Sequence, residues 1–178
     1  NVFLKNLFPI LFVMFVFLPT AQACTGFIKK TTSGDVIYAR TNEFATDLKT
    51  KIVFIPRGVR FQGSLPNGAK GISYRTKYAM MGMGVFDLPN LLDGINEEGL
   101  GFGALFFPGY AAYSEFNPDN VTKDLASWEF GSWVLGNFAS VDQVEAALAD
   151  IKIVDTPFAE LGNTTLPLHY FVFDKTGK

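Results

Sequence analysis

Apolar residues run from Leu7 to Leu18 without a charge; from Cys24 onward they break into short runs separated by turn residues. The later pattern reads as strands. Residues 24–31 and 36–40 form a hairpin around Thr32-Ser33-Gly34-Asp35, and residues 51–55 are a third strand closed by Pro56. A loop rich in Gly, Pro and Asn is expected over 58–71. Residues 78–86 contain Met-Gly-Met-Gly and read as a strand with glycines where another backbone comes close. Strands at 91–95 and 100–107 are joined by the turn Asn96-Glu97-Glu98-Gly99.

Helical spacing follows. Residues 125–138 are read as a helix with Trp128, Trp133 and Leu135 on an apolar, core-facing side. Ser140 opens a second helix, with Gln143 as its capping-box partner and Val141, Val144, Ala147, Leu148 and Ile151 at helical spacing. Residues 168–174 are a last strand. A run of antiparallel strands, then helices, then a strand predicts an α+β protein, sheets covered by helices.

The first apolar run is a separate object. Lys5 supplies a positive start, the run is about 12 residues against the ~20 of a membrane-spanning helix, and Ala21-Gln22-Ala23 fits a small-x-small cleavage pattern. Residues 1–23 are therefore read as a secretory signal. The protein is expected to be exported, periplasmic or secreted, with no stable membrane span after processing. Residues 24–178 are read as the N-terminal portion of a domain that continues beyond Lys178, because the strand and turn at 168–177 lack a return strand.

Composition narrows the function. The formal net charge of -2 over 178 residues gives no basic balance to point to nucleic acid. No His, Cys or carboxylate cluster has metal-ligand spacing, and no cofactor is called for. Gly99-x-Gly101-x-Gly103 is not a nucleotide fingerprint, since no helix follows it. Its glycines are expected to let backbone approach a neighbour or a substrate.

Cys24 is the single cysteine. Cleavage before it would leave a thiol and a free α-amine on one residue. An α-amine titrates near ~7.7–8.0, in the range of a working general base, and a thiol needs little help to become a nucleophile. Two other readings stay open: a lipidated cysteine that tethers a non-enzymatic binding protein, and a buried core cysteine at a strand start. Arg40 and Glu43 lie where an antiparallel hairpin returns beside Cys24. There a guanidinium would favour the thiolate, and a carboxylate would orient the amine; without the cysteine they are an ordinary surface pair. Phe102, Phe106, Phe107 and Tyr110 are candidates for an apolar acyl pocket or for core. His169, alone of its kind, is expected to be a packing residue.

Cys24-Thr25-Gly26-Phe27 and Tyr38-Ala39-Arg40-Thr41-Asn42-Glu43-Phe44 resemble the start of the choloylglycine hydrolase and penicillin V acylase family. Asp93-Gly94-Ile95-Asn96-Glu97-Glu98-Gly99-Leu100 and Pro167-Leu168-His169-Tyr170 are similar to later stretches of it. The resemblance implies a four-layer αββα N-terminal nucleophile hydrolase fold, of which this chain holds the N-terminal part. It implies a catalytic set of Cys24, Arg40 and Glu43, the last where many members carry aspartate. It implies an oxyanion hole that uses the Phe106 backbone N–H, with an asparagine and a second arginine beyond Lys178. The activity implied is hydrolysis of a small-molecule linear amide: a conjugated bile salt, penicillin V or an N-acyl homoserine lactone. Acid-ceramidase-like amidases share the cysteine chemistry. Tetramers are frequent in the family, so a homotetramer is an expectation that the resemblance carries.

Overall fold

The computed structural model describes residues 24–178. The signal read in residues 1–23 lies outside the described residues. Among the described residues no helix is long and apolar enough to cross a membrane.

The first hairpin forms as its turn residues dictate: β1 (Gly26–Lys30) pairs antiparallel with β2 (Val36–Arg40), Gly26 opposite Arg40. The central sheet is five-stranded and antiparallel, in the order β13-β8-β7-β6-β3. It uses β3 (Lys51–Ile55), β6 (Met80–Gly84), β7 (Leu91–Asn96), β8 (Gly101–Phe106) and β13 (Leu168–Phe173). All five coincide, within a residue or two at the ends, with strands expected from the pattern.

Three expectations are corrected. Residues 58–71 are not a loop: β4 (Arg60–Ser64) and β5 (Lys70–Arg75) form a hairpin. The glycines there serve packing, since a Cβ on Gly71 would sit 2.2 Å from the Asp124 carbonyl oxygen. The helix expected from residue 125 begins later. β9 (Asp124–Ala126) pairs parallel with β10 (Lys152–Val154), and α1 spans Phe130–Asn137. Ala126 is held extended opposite Val154, in a strand that follows both helices in the chain. α2 (Val141–Ala147) is also shorter than expected, and a 3-10 turn follows at Leu148–Asp150. Its capping chemistry is present: Ser140 Oγ accepts from Gln143 N–H at 3.4 Å, and Gln143 Oε1 accepts from Ala139 N–H at 2.9 Å. The short pair β11 (Pro157–Phe158) and β12 (Thr164–Thr165) completes the strands.

The sheet has two differently covered faces. On one, α1 is buried all round from Phe130 to Gly136. Phe102, 1% exposed, lies under it, with its ring 5.7 Å from Phe130 and 5.6 Å from Tyr170. On the other lies the β1–β2 hairpin, with Tyr38 ring to ring with Phe173 at 5.0 Å. Alternation along β8 explains both. Phe102 faces the helix, while Gly101 and Gly103 face the hairpin and leave a trough. A Cβ on Gly103 would lie 2.1 Å from the Tyr38 hydroxyl, and one on Gly101 2.2 Å from the Phe173 ring.

Candidate active site

Cys24 sits just before β1, and the hairpin ladder continues past the strand ends to reach it. Thr41 N–H donates to Thr25 O at 2.9 Å, and Thr25 N–H donates to Thr41 Oγ1 at 3.0 Å. The segment from Arg40 to Glu43 is thereby laid beside Cys24, whose thiol lies 3.6 Å from the Glu43 carbonyl oxygen. The backbone of Glu43 makes this contact; the residue is otherwise exposed.

Arg40 is nearly buried, its side chain 11% exposed. Its Nη1 donates to Asp93 Oδ2 at 2.7 Å and to the Ala104 carbonyl. Its Nε donates to Thr41 O at 2.9 Å, and its Nη2 reaches Asn42 Oδ1 at 3.4 Å. The second oxygen of Asp93 accepts from Tyr38 Oη at 3.2 Å. Burial pushes the Asp93 carboxyl up to about 6, while the Arg40 guanidinium pulls it the other way. Burial, reinforced by Asp93, also holds the Tyr38 phenol above its usual range, so it donates as a neutral hydroxyl.

This arrangement fills a gap in the sheet. β7 and β8 pair over Asp93–Ile95 and Gly101–Gly103. One residue further, the Ala104 carbonyl is taken by Arg40. Phe107 N–H donates to Pro167 O at 2.7 Å, on the β13 side. Alternation therefore turns the Phe106 N–H to the opposite edge, the edge of the Ala104 carbonyl.

A cleft of about 420 Å³, open solvent at its mouth included, joins these groups. Cys24, Arg40 and Asn42 are its polar part; Phe44, Met83, Val85, Phe106, Phe158 and Leu166 are among its apolar walls. Phe44 meets Phe106 edge to face at 5.2 Å. Of the four aromatic candidates, only Phe106 lines this cleft. Phe102 belongs to the core under α1. Phe107 and Tyr110 stack on each other at 5.0 Å outside it, 38% and 79% exposed. His169 stacks on Phe107 at 4.6 Å. Among the described residues no group of three His, Cys, Asp or Glu is placed to hold a metal ion.

Asp93, Tyr38 and Asn42 were not singled out from the sequence, although each stands in a stretch that carries the resemblance. A signal for Asp93 was there: a lone carboxylate within Leu91–Ile95, an otherwise apolar central strand, needs a buried partner.

Residues 24–178 match the family model described as linear amide C-N hydrolases, choloylglycine hydrolase family. A bile salt hydrolase/transferase of Clostridium perfringens is 38% identical over 158 residues, covering 87% of this chain and 46% of that protein. A penicillin V acylase of Pectobacterium atrosepticum is 27% identical over 146 residues, covering 79% of this chain and 38% of that protein. A cysteine-to-alanine mutant of the conjugated bile acid hydrolase from Clostridium perfringens superposes with a TM-score of 0.72 at 35% identity, over 88% of this chain and 46% of that one. The chain thus spans about half the length of these relatives, and its α+β architecture is the N-terminal part of their N-terminal nucleophile hydrolase fold. The chain belongs to the choloylglycine hydrolase family of linear amide C–N hydrolases.

Proposed function

We propose that the protein hydrolyses a small-molecule linear amide with Cys24 as an N-terminal nucleophile. The observation that carries this reading is that the chain's single cysteine and a nearly buried arginine line the same, largely apolar cleft. Removal of residues 1–23 would free the Cys24 α-amine. That amine takes the thiol proton, and the sulfur attacks the amide carbonyl. The Phe106 N–H, turned to the open edge of β8, donates to the oxyanion; in other enzymes such donors are worth about 2.7–4 kcal/mol. The ammonium then protonates the leaving amine as the C–N bond breaks. Water hydrolyses the thioester, releasing the acid and restoring the thiol.

The apolar walls suit an apolar acyl group. Conjugated bile salts come first as substrates, given the names of the relatives, with penicillin V and N-acyl homoserine lactones behind them. Glu43 is proposed to orient the amine through its carboxylate. Export before use and a homotetrameric assembly belong to the same proposal.

The test is a panel of these amides scored by released amine, with mass spectrometry of the mature N-terminus. A free Cys24 terminus is expected, with activity abolished in Cys24→Ala. Full activity in that variant, or a diacylglyceryl mass on the cysteine, refutes the reading.

A further inference from the structure

One carboxylate ties the first hairpin to the central sheet. Tyr38 and Arg40 are two apart on β2, so both side chains leave the same face of the hairpin. Both end on Asp93, which the alternation of β7 presents to that face: Tyr38 Oη on Oδ1 at 3.2 Å and Arg40 Nη1 on Oδ2 at 2.7 Å. The pair is enclosed, with side chains 11% and 15% exposed for Arg40 and Asp93. Gly103 lies beneath it; a Cβ there would be 2.1 Å from the Tyr38 hydroxyl and 2.9 Å from Asp93 Oδ1.

A guanidinium has five N–H donors. Both of those on Nη1 are engaged by Asp93 and Ala104, and that on Nε is engaged by Thr41. Nη2 makes only the long contact with Asn42, so Nη2 has donor capacity left. Arg40 is the direct register partner of Gly26, two residues from Cys24. Whatever fixes Arg40 in the gap between β7 and β8 therefore fixes the start of the hairpin as well.

We propose that Asp93 is the positioning residue of this site: with Tyr38 it holds the Arg40 guanidinium in the β7–β8 gap, so that Nη2 serves the cleft beside Cys24. Among the described residues Asp93 is the carboxylate that pairs with Arg40; its other acceptors are two backbone carbonyls and an amide. The inference rests on the amidase reading only for its kinetic arm.

The test is a double-mutant cycle of Asp93→Asn and Arg40→Leu in the processed, full-length protein. Alkylation of Cys24 by iodoacetamide is followed by mass spectrometry of the N-terminal peptide that begins at Cys24, so that this site alone is read, and amide hydrolysis is measured in parallel. Asp93→Asn should lower kcat on the order of 100-fold, the size of a misplacement of about 1 Å, with KM within about threefold. It should also slow alkylation of Cys24, as should Arg40→Leu. In the Arg40→Leu background the same change should do nothing further to either rate. Additive effects, a wild-type kcat in Asp93→Asn, or alkylation indifferent to Arg40→Leu each overturn the assignment. Should Asp93→Asn fail to fold, Tyr38→Phe takes its place in the cycle, with a loss of about threefold expected. No hydrolysis by any of the proteins together with an intact alkylation cycle sinks the amidase reading and leaves the positioning role standing.

Discussion

Asn96→Ala should be among the most damaging single changes outside the cleft. The residue ends β7 and is 4% exposed. Its Nδ2 donates to Leu135 O at 2.8 Å and Phe138 O at 2.7 Å, carbonyls at the C-terminal end of α1. Its Oδ1 accepts from Glu98 N–H and Leu100 N–H, both at 3.1 Å, inside the β7–β8 turn. Alanine strands four backbone groups at once. The partners at Leu135 and Leu100 are sealed, and at roughly 1.5 kcal/mol each they account for about 3 kcal/mol; the two nearer solvent add about 0.5 kcal/mol each. The sum is about 4 kcal/mol, a large part of the ~5–15 kcal/mol that holds a domain together. Trp128 and Trp133, 8% and 5% exposed beside and within α1, report unfolding by fluorescence. With a urea dependence of ~2 kcal/mol/M, the midpoint should fall by about 2 M. Asn96→Asp keeps the one oxygen that accepts from both N–H groups but turns its second carboxylate oxygen toward two carbonyl oxygens, and should be no better. A midpoint shift under about 0.5 M in Asn96→Ala, at unchanged slope, would refute the reasoning.

Other changes test the packing and the buried charge. Glu129, 6% exposed, accepts from Ser64 N–H at 2.8 Å and Ala126 N–H at 3.1 Å, and burial pushes its carboxyl from 4.5 up to about 7. The folded state then holds the proton more tightly than the unfolded one. Its contribution is complete below pH 4.5 and is lost as pH rises through 7. Glu129→Gln should therefore gain about 3 kcal/mol on wild type between those limits; a difference that does not change with pH in paired urea titrations would contradict this. Gly131→Ala would bring a Cβ to 2.4 Å from Leu91 O and 2.6 Å from the Phe102 ring. Melting curves should show a loss of at least about 2 kcal/mol, and a neutral result would mean that α1 is free to shift off the sheet.

What the sequence made legible was local. β2 and β3 were readable to the residue, because Asp35 and Pro56 punctuate them and their apolar runs are short. The β4–β5 hairpin was not, because Gly63 and Gly71 look like loop residues. Their reason is the passing Asp124 carbonyl, 53 residues further on in the case of Gly71. β9 was misread as helix because nothing near Leu125 announces a parallel partner at Ile153. At the site, the ladder from Arg40 to Cys24 followed from hairpin geometry alone. Which aromatics face the cleft did not: Phe102, Phe106 and Phe107 are equally apolar, and only the surroundings of β8 separate a core ring from a cleft wall.

The stretch from Asp93 to Leu100 carries part of the family resemblance, and the structure gives its residues separate physical tasks. Asp93 and Asn96 are three apart on one strand, so their side chains leave opposite faces, roughly 10 Å along the strand. Asp93 holds the hairpin that carries Arg40 and leads back to Cys24; Asn96 holds the end of α1. A single strand is thereby gripped from both sides by polar contacts that are specific in direction, where apolar packing would tolerate a slip. The two grips share no partner. Damage to Asn96 should therefore appear in the unfolding free energy with the cleft chemistry of the folded molecules intact, and damage to Asp93 should appear first in the chemistry. If the two could not be separated in this way, β7 would be acting as one cooperative unit, and the assignment of distinct roles to its two faces would fail.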